Sequence, residues 1–286
     1  MIIPPFQVQE PTELRSNLVF ASPHSGAHYS EAFLGDSVLE LNKLRSSEDA
    51  FVHDLYRSAP EYGAPLIIAG FPRAYIDLNR AEDELDPALI IGAPSLRANP
   101  RVASGLGIIP SVVSEGRAIR SGKISMKDAQ DRIATIYRPY HEKLRFLMGA
   151  ARSKFGSAIL IDCHSMPHSA TENMVTKGGR RPDIVLGDRY GASAPSELVD
   201  MLESAFRDEG FSVSRNVPFA GAFNLQHYGR PSASFYAVQI EIDRALYMDE
   251  IEIQKTSDYW DVKAKITRVV ENITRENWME LGVAAE

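Results

Sequence analysis

Two histidines stand directly after apolar runs and lie far apart in the chain: His24 follows "VFASP" and His164 follows "AILIDC". Imidazole nitrogens are favoured ligands of a divalent ion such as zinc. A catalytic site of that kind takes three protein ligands and keeps a position for water. The third ligand would be a carboxylate, and "SEDAFVHDLY" offers Asp49 or Glu48. Each residue alone has an ordinary explanation. A histidine after a strand is commonly a satisfied polar group, and acidic residues gather at helix N-termini because of the helix dipole. The combination, rather than any one member, points to a metal.

A second group lies in "YIDLNR". Read as a strand, it puts Asp77 and Asn79 on one face, with Arg80 free to turn. An arginine beside an asparagine can grip a carboxylate through forked hydrogen bonds. Arg73, after "GFP", can face the same pocket and stabilise developing negative charge. Asp77 is equally explained as the partner of an arginine in a structural ion pair. Glu241, in "YAVQIEIDRALY", shares a face with Gln239 and Asp243, opposite Val238, Ile240 and Ile242. That face is either solvated, as on an edge strand, or it buries a glutamate whose pKa is raised for general-base work.

The elements that must position these residues alternate between short apolar runs and amphipathic stretches. "LVFAS", "PLIIAGF", "AYIDLN", "AILIDCHS", "DIVLGD" and "FYAVQIEIDRALY" read as strands. "EDAFVHDLYRSAPEYG", residues 125–156, residues 193–210 and residues 250–281 read as helices. Ser125 is the expected N-cap of the long helix, and Pro139 should kink or split it. The β-α-β order predicts an α/β fold: one domain over 1–286, built on a mixed, mostly parallel sheet with helices on both faces. Ligands bind at the carboxyl edge of such sheets, where His24, Asp77 and His164 fall. Residues 83–123, rich in Gly, Pro and Ser and without clear period, read as an excursion over that edge.

The bulk numbers exclude other classes. With 286 residues, 44% of them hydrophobic, the chain can bury a large core. A net charge of −7 and the lack of any Lys/Arg run argue against nucleic acid. The single cysteine, Cys163, rules out an intrachain disulfide and fits a reducing cytosol. No apolar run approaches the about 20 residues of a membrane span, and the first residues do not read as a signal peptide. A cytoplasmic protein acting on a small molecule is expected, with homo-oligomerisation left open.

With these residues in hand, the chain resembles the N-formylglutamate amidohydrolase family. The matching segments are "SPHSG", "SEDAFVHDLY", "YIDLNR", "YRPYHEKL", "LIDCHS", "PDIVLGD", "HYGRP" and "AVQIEIDRALYMDE", in order over roughly Leu18 to Glu250. The family is similar to zinc carboxypeptidases and aspartoacylases, with a phosphorylase/hydrolase-like fold. The resemblance implies hydrolysis of N-formyl-L-glutamate to formate and glutamate, a last step of histidine breakdown, with one divalent ion, zinc, as cofactor. It implies His24, Asp49 and His164 as metal ligands and Glu241 as general base. Arg73 would stabilise the oxyanion, and Asn79 and Arg80 would hold a substrate carboxylate. His227 and Arg230 would lie near the substrate, with Arg230 or Arg181 as a second carboxylate partner. The wider superfamily places an acid three residues after its first histidine. Ala27 stands there, so the helix acid Asp49, or else Glu48, takes that part.

Rival readings have their own residues. A serine hydrolase would use Ser25 or Ser165, but neither lies in a G-x-S-x-G elbow. A non-catalytic binder of acidic ligands would need Arg80 but neither Glu241 nor the metal ligands. A deacylase of another N-acyl amino acid would keep the same machinery.

Overall fold

The computed structural model describes residues 3–94, 99–175 and 179–276. Its centre is a seven-stranded sheet: β1 (Phe6–Gln9), β2 (Leu18–Ser22), β3 (Leu66–Ala69), β4 (Ala158–Met166), β5 (Ile184–Gly187), β6 (Val213–Arg215) and β7 (Phe235–Asp243). Their spatial order is β1-β3-β2-β4-β7-β5-β6. The four central strands, β3, β2, β4 and β7, run parallel. Edge strand β1 is antiparallel to β3, and β5 is antiparallel to β7 while pairing in parallel with β6. The sheet is therefore mixed and mostly parallel, as the element order predicts.

Side chains on successive strand residues point to opposite faces, and both faces are covered. Leu18, Phe20, Ile159, Ile161, Val238 and Ile240 join one core with the helices Ser196–Asp208 and Tyr259–Arg275. Val19, Ala21, Leu160 and Ala237 join the other, under the helical stretch 126–155. This second face changes character half-way along. On β4 it runs Ala158, Leu160, then Asp162 and His164; on β7 it runs Ala237, then Gln239 and Glu241. The register aligns Gln239 with Asp162 and Glu241 with His164. Apolar burial thus fixes the lower half of both strands, and the polar upper half is carried into register with it.

Several expected elements differ. "AYIDLN" is a turn, not a strand. Tyr75 and Ile76 N–H donate to the Pro72 carbonyl, and the Asp77 carboxylate accepts from the Asn79 N–H, closing a turn that competes with any ladder. The helix expected over 48–63 is broken. Asp49 N–H donates to the His24 carbonyl, Phe51 has φ 65°, and only Val52–Leu55 is α-helical before a 3₁₀ turn at Ala59–Tyr62. The long helix begins on Ser125, whose hydroxyl accepts from Asp128 N–H. It absorbs Pro139 through a wide π turn at Ile133–Tyr137 and continues as Arg138–Phe155. The C-terminal helix starts only at Tyr259, after a short β-pair of Met248–Asp249 with Gln254–Lys255. The end of its expected span, 277–281, lies outside the described residues, as do 95–98 of the excursion.

Candidate metal centre and substrate pocket

The turn after β2 carries His24, and its backbone is held by tight packing. A Cβ on Gly26 would stand 2.0 Å from the Phe71 carbonyl oxygen, so the missing side chain is a matter of space rather than of unusual φ. Asp49 arrives from the segment before the broken helix, and His164 from the upper half of β4. The three side chains meet, all buried.

Each histidine is oriented by its own carboxylate. His24 Nε2 lies 2.7 Å from Asp77 Oδ1, and His164 Nε2 lies 2.9 Å from Asp162 Oδ2. With each Nε2–H donating, both Nδ1 lone pairs turn inward, a pattern common to histidines that hold metals. The two Nδ1 atoms are 3.1 Å apart. Asp49 Oδ2 is 3.1 Å from the Nδ1 of His164 and 3.4 Å from that of His24. Bonds of about 2.0–2.1 Å at tetrahedral angles separate ligand atoms by about 3.3 Å. Facing lone pairs repel unless a cation lies between them, so the donor set fits a divalent ion.

The electrostatics agree. Burial alone would raise the Asp49 carboxyl, but the adjoining imidazoles of His164 and His24 and the charge of Arg244 hold it well below the usual carboxylate range. Burial works the same way on Asp77, and Arg73, His24 and Arg80 outweigh it. Glu48, the alternative ligand, is turned away. It takes a bidentate pair from Arg45 at 2.9 and 3.0 Å and a hydrogen bond from Tyr29.

A cavity of about 390 Å³ opens beside the three ligands. Glu241 lines it, buried, with its Oε1 accepting from Gln239 Nε2 at 2.9 Å. Burial pushes the Glu241 carboxyl up to about 7, against the lowering charges of His164, Arg244 and Arg73. The solvated-face explanation fails because β7 is an interior strand, paired on both sides. Arg73 and Arg80 line the same cavity. Arg73 Nη2 donates to Asp77 Oδ2 at 2.8 Å. Arg80 is anchored by its Nε on the Leu106 carbonyl and its Nη1 on the Asn79 carbonyl, both at 2.9 Å.

Residues 16–248 match the family described as N-formylglutamate amidohydrolase. The chain belongs to that family. N-formylglutamate deformylase of Pseudomonas putida is 31% identical over 245 residues, covering 83% of this chain and 84% of that protein. The crystal structure of N-formylglutamate amidohydrolase from Ralstonia eutropha JMP134 superposes with a TM-score of 0.87 at 35% identity, over 96% of this chain and 98% of that one. A gene product of Agrobacterium tumefaciens, with TM-score 0.60 and 18% identity, shares the fold.

In this amidohydrolase-family chain, three expected substrate contacts lie elsewhere. His227 and Arg230 line an outer groove and not the inner cavity. Arg181 hydrogen-bonds the His168 and Thr171 carbonyls at the surface. The Asn79 amide is engaged within the protein: its Oδ1 accepts from Asn224 N–H at 2.8 Å, and its Nδ2 donates to Asp162 at 3.3 Å. Asn79 therefore orients the Asp162–His164 pair instead of offering a free amide. Ser25 and Ser165 bond Asp49, the first to its carbonyl and the second to its carboxylate, and among the described residues neither hydroxyl is hydrogen-bonded to a histidine ring.

Two side chains that support the site receive no role in the sequence reading. Asp162 sits two residues before His164, so period-two alternation puts both on one face, and that was a usable signal. Arg244 reaches from after β7 to Asp49 Oδ1 and Ser165 Oγ, each at 3.0 Å. Nothing in the sequence ties positions 49 and 244 together. Among the described residues, no helix is long and apolar enough to cross a membrane.

Proposed function

We propose that the chain carries out its family's reaction as a metal-dependent amidohydrolase, cleaving N-formyl-L-glutamate to formate and L-glutamate. The observation that carries this reading is the pair of inward-facing Nδ1 atoms closed by Asp49, with the buried Glu241 on the same cavity. A divalent ion held by His24, Asp49 and His164, zinc by the chemistry of the donors, supplies a Lewis acid and lowers the pKa of a water.

The chain's own residues do the rest. Glu241 accepts a proton from the attacking water as the new C–O bond forms at the formyl carbon. It then delivers that proton to the amine nitrogen as the C–N bond breaks, so that glutamate leaves with its amine intact. A carboxyl near 7 suits both halves of this transfer. Arg73 faces the developing oxyanion, and loss of one such donor costs about 3–4 kcal/mol of transition-state stabilisation. Arg80, anchored through two backbone carbonyls, presents the rest of its guanidinium to a substrate carboxylate. The reading places one catalytic domain in the cytoplasm, at the end of histidine breakdown.

The test is hydrolysis of N-formyl-L-glutamate by purified protein, with and without a chelator, beside N-acetyl-aspartate and N-acetyl-glutamate. Formyl-selective activity that is lost on chelation and returns with zinc is the expected result. Chelator-insensitive activity would overturn the metal reading, and selective cleavage of an acetyl substrate would overturn the substrate.

A further inference from the structure

N-formylglutamate carries two carboxylates, and the cavity offers unequal cations. Arg73 is paired with Asp77, and Arg244 is bound to Asp49, Ser165 and the Ser46 carbonyl. Arg80 is fixed and buried. Arg101 is different. It is exposed, it lines both the inner cavity and the outer groove, and among the described residues no carboxylate pairs with it. An unpaired guanidinium at the mouth of a site that receives a dianion lacks the partner that the dianion would supply.

Its placement is not accidental to the fold. Arg101 sits on the short helix Pro100–Ala103, which is capped by Asn99 Oδ1 on the Arg101 and Val102 N–H groups and seated by the buried Val102 side chain. Leu106 N–H donates to the Arg101 carbonyl at 2.8 Å, and the Leu106 carbonyl accepts from Arg80 Nε at 2.9 Å. Two hydrogen bonds therefore connect the buried cation to the segment carrying the exposed one. The Ile108 carbonyl also accepts from Asp77 N–H at 2.8 Å, tying the same segment to the turn that orients His24.

We infer that Arg101 is a specificity-determining residue that binds the side-chain carboxylate of an acidic N-formyl amino acid, while Arg80 takes the α-carboxylate. This rests on the amidohydrolase reading above. The assignment follows from substrate geometry. The α-carboxylate is two bonds from the scissile nitrogen and must lie near the buried end of the cavity, beside Arg80. The side-chain carboxylate is four bonds away and reaches toward the mouth, where Arg101 stands.

The experiment compares N-formyl-L-glutamate with N-formyl-L-glutamine, which replaces only the side-chain carboxylate, on wild type, Arg101→Ala and Arg101→Lys. In Arg101→Ala, the kcat/KM preference for the dicarboxylate should fall by about tenfold or more, mostly through KM, as loss of a charged hydrogen bond predicts. Arg101→Lys should recover part of it. An unchanged preference in Arg101→Ala overturns the inference. A second arm titrates L-glutamate and L-glutamine into the zinc-loaded proteins by calorimetry. If wild type cleaves neither formyl substrate, the proposed activity fails. Loss of the glutamate-over-glutamine binding preference in Arg101→Ala would then still support Arg101, and its retention would refute it.

Discussion

Asp77 stands 2.7 Å from His24 Nε2 through one carboxylate oxygen and 2.8 Å from Arg73 through the other. One buried side chain therefore sets the ring orientation of a proposed metal ligand and the position of the arginine proposed for the oxyanion. Asp77→Asn keeps the shape and can still accept from the Asn79 N–H, but it loses the charge. Zinc affinity should fall by about 10- to 100-fold while the fold persists. Competition with a chromophoric chelator, beside far-UV circular dichroism, reads both quantities. Unchanged affinity would remove Asp77 from the centre's support.

Glu241→Gln separates chemistry from metal binding. A glutamine at 241 can still accept from Gln239 Nε2, so packing on β7 should hold. Turnover should drop by about 10²- to 10⁴-fold, the range for a general acid–base group, with zinc content unaltered. Activity within a few-fold of wild type would assign the proton transfer to another group.

Arg244 gives a stability prediction at a position remote in sequence from every ligand. It bonds Asp49 Oδ1 at 3.0 Å, with both side chains buried. Removing one partner strands a buried charge. Arg244→Met should destabilise the protein by on the order of 3 kcal/mol and weaken zinc binding through a displaced Asp49. Urea unfolding with the metal concentration held fixed measures the first effect. A wild-type midpoint would show that the pair contributes little.

The pH dependence of stability has a definite sign at His141. Burial pushes its imidazole down to about 3, with the His227 and Arg145 charges adding to the effect. The Leu78 carbonyl lies 3.1 Å from Nε2 and Tyr228 Oη 2.8 Å from Nδ1, which suits a neutral ring donating at Nε2 and accepting at Nδ1. The ordinary histidine value is about 6.5. Between these values the unfolded chain binds a proton that the folded chain refuses, so stability rises with pH from about 3 to 6.5 and is level above. The stability lost between neutral pH and pH 3 through this group is on the order of 4 kcal/mol. His141→Gln should flatten this part of the curve in unfolding titrations at stepped pH. An equally steep slope in the variant would place the acid sensitivity elsewhere.

What the sequence disclosed follows from range of interaction. "AILIDCHS" announces a strand because its apolar lower half is local, and the same periodicity puts Asp162 and His164 together. "YIDLNR" misleads because a side chain two residues away, Asp77 onto Asn79, decides the backbone there, while hydrophobic pattern alone suggests a strand. Pro139 signals a break, yet one wide turn lets the helix continue. The choice of Asp49 over Glu48 depends on Arg45 and Tyr29, and the Arg244–Asp49 bond joins residues 195 apart. No window of sequence contains both ends of such contacts. Arg101 shows the same limit, since its excursion has no period and its place over the cavity comes from hydrogen bonds to Arg80 and Asp77.

The contact of Gly26 with the Phe71 carbonyl works as a spacer set to zero thickness. On one side of it is the turn bearing His24; two residues beyond the other is Arg73. Any side chain at position 26 would push these two parts away from each other at once, although it would touch neither metal nor substrate. A replacement there would resemble a catalytic defect in kinetics while originating in the assembly tolerance between two loops. Position 26 thus belongs to the site's dimensions more than to its chemistry.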